Sequence, residues 1–174
     1  DEALDIAPDY SPALLGKAEA YRITMKYDEY FPLLYRYVES GESPVEPKVD
    51  YLMAIIQRTG MKFLKTFQSQ LDTTMTKLLE AHPDDSTSLH TTAVYYYSTA
   101  RESVAGDLFR RNVQLYPESF SAHADYIEYL MYTDKWEELS REGRKAYERF
   151  PHETAFLEMA SVGDYNLGNH DKVL

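Results

Sequence analysis

Between Ser86 and Pro117 apolar residues fall at helical spacing twice, with a polar break between the two stretches. Leu89, Ala93 and Tyr96 are separated by four and three positions, one face of a helix. Ser98-Thr99-Ala100-Arg101 interrupts the pattern, and Ala105, Leu108, Phe109 and Val113 resume it before Tyr116-Pro117. Proline lacks an amide hydrogen and biases the residue before it away from helical angles, so it closes the segment. The pattern predicts helix, tight turn, helix, stop.

The unit recurs. Pro83, Pro117 and Pro151 stand 34 residues apart. A shift by 34 places Ile127 under Ala93, Leu130 under Tyr96, Leu139 under Ala105 and Ala146 under Asn112, with Trp136 opening the second helix. A further shift places Leu157 under Leu89 and Gly168 at the turn between helices, after which Asn169–Leu174 is expected to begin another helix. Near the front, Leu14, Ala18 and Tyr21 repeat the first-helix pattern, and Tyr30, Leu34 and Tyr37 mark the packing face of its partner. Glu2–Ala7, closed by Pro8, reads as the tail of a preceding unit. Both ends cut through a unit, so an excised fragment of a longer array is expected.

The second unit is irregular. From Ser11 to Ser86 is 75 residues, seven more than two periods of 34. The excess is expected near Gly60 to Gln70. Seven residues are about two helical turns, so the apolar face keeps its direction, and Leu64, Phe67 and Leu71 continue it. The spacing therefore predicts one long helix from about Lys62 to Ala81. Glu39–Lys48, with Gly41, Pro44 and Pro47, is the one real loop.

A 34-residue helix–turn–helix period resembles the tetratricopeptide repeat (TPR). The family pattern is met in the best copy by Leu89, Ala93, Tyr96, Ala105, Phe109 and Pro117, and in the first by Leu14, Ala18, Tyr21, Tyr30 and Leu34. It is broken by His123 at a large-apolar position and by Asp164 at an aromatic one. The resemblance implies an all-α solenoid, a right-handed superhelix of antiparallel helix pairs. It implies a single array over 1–174: a tail at 1–10, repeats at about 11–44, 45–85, 86–119 and 120–153, and a partial repeat at 154–174. One such hairpin cannot bury its own apolar face, so hairpins stack and leave a curved groove.

The family builds its inner wall from fixed first-helix positions. Carried onto this chain, they are His90, Val94 and Tyr97; Glu128, Met131 and Tyr132; and Glu158, Val162 and Tyr165. The first copy supplies Pro12, Leu15, Glu19, Arg22 and Ile23, and the second, counted forward, Glu46, Val49, Met53, Ile56 and Gln57. Tyr97, Tyr132 and Tyr165 are expected at the same relative place in successive copies. Tyrosine and methionine give adaptable apolar contact, and Glu128 and Glu158 add negative charge. The implied partner is a protein or peptide, a basic one with apolar anchors. The chaperone carboxylate clamp of the family, which needs Lys and Asn on the wall, is not expected here.

Composition narrows the alternatives. Eighteen Lys and Arg against 29 Asp and Glu give a net charge of −11, which repels nucleic acid and anionic lipid. The apolar runs are a few residues long, too short to span a membrane. With no cysteine, disulfides and thiolate zinc sites are excluded. The histidines, His82, His90, His123, His152 and His170, have no i, i+4 metal spacing. His82 and His152 flank prolines at helix ends, where a capping role is expected. Asp84-Asp85 fits the start of the next helix. Arg110-Arg111 and Arg141, Arg144, Lys145 are short and diluted by acids. No catalytic constellation, metal site or cofactor is expected. The reading is a non-catalytic interaction scaffold. Its alternatives are an accessory region of a larger enzyme or of a transport or envelope component, and a glycan or small-ligand groove. Cellular location is not legible.

Overall fold

The computed structural model describes residues 2–41, 43–169 and 171. These form eleven α-helices and no strand. The first six are α1 (Glu2–Ile6), α2 (Ser11–Ile23), α3 (Tyr27–Glu39), α4 (Glu46–Arg58), α5 (Gly60–Thr66) and α6 (Gln68–Ala81). They are followed by α7 (Ser86–Ser98), α8 (Glu102–Leu115), α9 (Phe120–Tyr132), α10 (Trp136–Arg149) and α11 (Thr154–Asn166). The fold is all-α, with helices packed in adjacent pairs. Two compact units divide between Thr99 and Ala100. The helix expected over Asn169–Leu174 falls, apart from Asn169 and Asp171, outside the described residues.

The period is visible in the backbone. First helices begin at Ser11, Glu46, Ser86, Phe120 and Thr154, steps of 35, 40, 34 and 34 residues. Met25, Gly60, Ala100, Asp134 and Gly168, each fourteen residues after such a start, have φ of 59°, 76°, 59°, 56° and 75°. One left-handed residue after the last helical turn reverses the chain and lets amides cap the final carbonyls. In four of five turns the preceding residue is a threonine whose hydroxyl donates to the carbonyl four residues back. These bonds are Thr24 to Ala20 (2.8 Å), Thr59 to Ile55 (2.7 Å), Thr99 to Tyr95 (2.8 Å) and Thr133 to Tyr129 (2.8 Å).

The seven extra residues divide differently from the expectation. One lies in the loop before α4, and six lie between Gly60 and the end of α6. The long helix expected from Lys62 to Ala81 is broken at Phe67, whose φ/ψ of −108°/27° is not helical. The break costs little hydrogen bonding, because the Phe67 amide still donates to Phe63 O and its carbonyl accepts from Leu71. It turns the Phe67 ring onto Tyr27, Phe63 and Phe31, with centroids 4.3, 4.8 and 5.4 Å away. Such ring pairs contribute beyond their buried area. Leu64 and Leu71 are buried on either side as expected.

In the first unit α2 packs on α3, α3 on α6, and α4 and α6 on α7. Leu14, Ala18, Tyr30, Leu34, Leu52, Leu71, Met75 and Leu78 fill the seams. Lys48, on the loop side of the sequence expectation, is fully buried at the start of α4. Its ammonium donates to Ser40 O and meets His82 Nε2 at 3.0 Å. His82 thus does more than end α6, and burial holds both side chains below their ordinary pKa. Asp85 caps α7 as expected, accepting from Ser88 N at 2.8 Å.

In the second unit α9 packs on α8, α10 and α11, and α10 lies closely against α11. The two departures from the repeat pattern have physical partners. His123 is buried, its Nε2 3.0 Å from Pro117 O and its ring 5.5 Å from that of Phe150. Asp164, 2% exposed, accepts from Ser140 Oγ at 2.9 Å and pairs with Arg144. No described helix is long and apolar enough to cross a membrane.

Candidate partner-binding faces

In the first helices α7 and α9 the tyrosines fall into two sets. Tyr95, Tyr126 and Tyr129 are buried, as is Tyr30 of the second helix α3. Their hydroxyls find partners in the seams, Tyr95 at Asp72 Oδ1 (2.7 Å), Tyr129 at Glu102 O (2.8 Å) and Tyr126 at Glu138 Oε2 (3.1 Å). The tyrosines assigned to the wall face outward instead. Tyr97 is 38% exposed, Tyr132 61% and Tyr165 63%. Glu128 and Glu158 are exposed, and His90, Val94, Met131 and Val162 are half-buried. In the second unit α9 contacts α11, which places Glu128, Met131 and Tyr132 on the helix neighbouring Glu158, Val162 and Tyr165. In the first unit α7 carries His90, Val94 and Tyr97 and contacts α4.

The three tyrosines are not in identical register. Counting from the helix starts, Tyr97 and Tyr165 align with Met131, and Tyr132 lies one residue further on. The row therefore reads tyrosine, methionine, tyrosine, with Tyr132 adjoining it.

The wall of the second copy also moves by one residue. Val49 and Ile56, counted as wall positions, are buried core residues. The extra loop residue makes α4 begin at Glu46, and the corresponding outward positions become Pro47, Asp50, Ala54, Gln57 and Arg58. All except the half-buried Ala54 are exposed.

The first copy shows two kinds of wall residue. Pro12 and Leu15 line a largely apolar cavity of about 470 Å³ with Tyr10, Tyr37, Pro44 and Pro47. The α3–α4 loop supplies Pro44 and the first turn of α4 supplies Pro47. Glu19 and Arg22, further along α2, are engaged with each other through a two-bond pair of 2.7 and 2.8 Å. Tyr51 also donates to Glu19, and Tyr30 and Tyr51 hydroxyls are 2.9 Å apart, so the group ties α2, α3 and α4 together. Arg22 and Tyr51 hold the Glu19 carboxyl below its ordinary pKa, against the effect of burial. Burial pushes Tyr30 up to about 12.

Among the described residues no group of three or more histidine and acidic side chains is placed to hold a metal ion. Compared with protein-family models and with curated protein sequences, the chain matches none. The fold and these faces define an all-α protein of repeated helical hairpins.

Proposed function

We propose that the chain is a TPR-type, non-catalytic interaction scaffold whose first helices present a peptide or partner-protein surface. The observation that carries this reading is the sorting of tyrosines. Those between helices are buried and bonded, while Tyr132 and Tyr165 expose most of their rings on two neighbouring helices. Rigid amphipathic rings beside a half-buried methionine and valine give contact area at low entropic cost. Glu128 and Glu158 beside them favour a partner with basic residues between aliphatic anchors. In the first unit the cavity at Pro12 and Leu15 offers a further seat for an apolar anchor.

The test begins from a peptide-display selection on the whole chain, followed by titration of the selected peptides. Peptides rich in Lys or Arg and aliphatic residues are expected, with affinity falling at least about tenfold in Tyr132→Ala/Tyr165→Ala, about 1.4 kcal/mol. Circular dichroism of the variant should match the parent. Unchanged affinity in that variant, or selection of acidic peptides that the double substitution releases, refutes the assignment.

A further inference from the structure

A cleft between the second helices of the second unit gathers more cations than carboxylates, although the chain as a whole is acidic. Arg110 of α8 and Arg141, Lys145 and Arg149 of α10 line one cleft of about 730 Å³, facing the edge of α9 at His123 and Tyr126. Only two carboxylates, Glu142 and Glu148, share its lining. In sequence these cations are scattered among acids. The fold collects them because 141, 145 and 149 are spaced by four, one face of a helix.

Their side chains are about half exposed, 49% for Arg110, 55% for Arg141, 57% for Lys145 and 48% for Arg149. Their protein partners engage them in part. Arg141 donates to Glu142 through Nε alone at 2.9 Å. Lys145 reaches the same oxygen at 3.0 Å. Arg149 uses one terminal nitrogen on Glu118. Arg110 donates through Nη1 to Asp107 at 3.1 Å and through Nε to the Tyr126 hydroxyl at 3.3 Å. Guanidinium groups carry five donors in a plane suited to oxyanions, so each arginine has more donors than these bonds use.

We propose that this cleft binds an extended acidic peptide segment whose carboxylates alternate along the chain. Four helical residues rise about 6 Å, so the α10 cations form a ladder with rungs about 6 Å apart. Two residues of an extended strand advance about 6.6 Å. Acidic side chains at i, i+2 and i+4 of an extended peptide therefore meet successive rungs, and Arg110 closes the cleft from α8. Single-stranded nucleic acid fits less well. Its binding uses exposed aromatic faces on which bases stack, and the cleft's two rings, Tyr126 and His123, are 3% and 9% exposed. A long polyanion also carries its charge across the rest of an acidic surface.

The experiment is a titration of the full chain with a dye-labelled peptide alternating glutamate and serine, at about 0.01 M salt, where the Debye length is about 30 Å. Binding is expected, with loss on raising the salt and loss with the glutamine analogue of the peptide. Arg141→Gln/Lys145→Gln should weaken it at least about tenfold. Lys62→Gln/Lys65→Gln, which removes the same charge from exposed positions in the first unit, should leave it unchanged. Arg149→Gln alone gives a second, milder variant, and circular dichroism checks the fold of each. Equal binding by the two double variants, no binding by the parent chain, or tighter binding of oligothymidylate or pyrophosphate than of the peptide overturns the proposal.

Discussion

Two glycine-to-alanine substitutions are expected to act with opposite sign. Gly163 of α11 faces α10 backbone, and a Cβ there would lie 2.7 Å from Trp136 O, 2.8 Å from Ser140 N and 3.1 Å from Ser140 Cα. Ordinary contact begins at 3.4 Å, so α10 and α11 must part by roughly 0.7 Å, and no flexible side-chain end is present to yield. Overpacking of this kind costs about 1–3 kcal/mol. The same displacement stretches the adjoining Ser140–Asp164 bond, now 2.9 Å, for about 1 kcal/mol more. Removing a helical glycine returns about 1 kcal/mol. Gly163→Ala should therefore destabilise the second unit by about 2 kcal/mol. Gly16 of α2 is exposed and has nothing within 4 Å of the same position, so Gly16→Ala should stabilise the first unit by up to about 1 kcal/mol. Trp136, the single tryptophan, sits at the crowded contact, and its fluorescence in a urea titration reports the second unit directly, with circular dichroism following both. A Trp136 transition that stays or moves upward in Gly163→Ala would refute the close approach of the two helices. A loss of stability in Gly16→Ala would refute the propensity argument.

Further outcomes follow from polar burial and from the turns. Asp164→Ala leaves Arg144 and Ser140 without their buried acceptor, and with Arg144 partly solvated the expected loss is about 2–3 kcal/mol in the Trp136 transition. Ala100→Gly relieves a left-handed alanine, worth about 1–2 kcal/mol. Glycine's larger unfolded-state freedom takes back about half of that, so a small rise in the urea midpoint is expected. Lys48 has no carboxylate partner among the described residues, so Lys48→Met should be neutral or stabilise by about 1–3 kcal/mol, read in the circular dichroism melt. The His82 imidazole, held below 6.5 by burial and by Lys48, binds fewer protons folded than unfolded. Stability is then complete above about pH 6.5 and falls as the pH drops toward the lower folded value. Asp85 and Glu46 act the other way and moderate the slope. His82→Gln should flatten the pH dependence of the midpoint in that window, and an unchanged slope counts against the Lys48 contact as its source.

The hairpins that were legible in sequence were marked by two signals that agree, apolar spacing and proline. Ser86, Trp136 and the buried Leu89, Ala93, Leu139 and Ala146 fall where the 34-residue shift places them. The break at Phe67 carried no such mark, having neither glycine nor proline beside it. It is set by rings on α3, far along the chain, which local periodicity does not register. The same holds for the one-residue shift of α4. A count by period distributes an insertion to one place, while the loop before α4 takes one residue and the stretch after Gly60 takes six. A signal for this was present in the threonines at 24, 59, 99 and 133, each heading a left-handed turn. Their spacing carries the true steps, although methionine, alanine and aspartate in the turn position hide the motif from a search for glycine. Asp164 and His123 read as departures from an apolar pattern because their partners, Arg144 and Pro117 O, are supplied by the fold.

The candidate surfaces differ in how far sequence reaches them, for a reason rooted in the repeat. Core positions are bound to the period, since each must meet the same seam in the next hairpin. Outward positions are bound to nothing but solvent and partner, so first-helix and second-helix surfaces vary independently of one another. In the second unit the first helices expose Glu128 and Glu158 beside tyrosines, while one face of α10 exposes Arg141, Lys145 and Arg149. A net charge of −11 averages these faces and conceals the second. The averaging matters at long range, where encounter rates follow the whole field, and little inside a cleft, where interactions beyond about 8 Å are screened at physiological salt. A local cluster of cations on α8 and α10 is therefore compatible with one acidic chain.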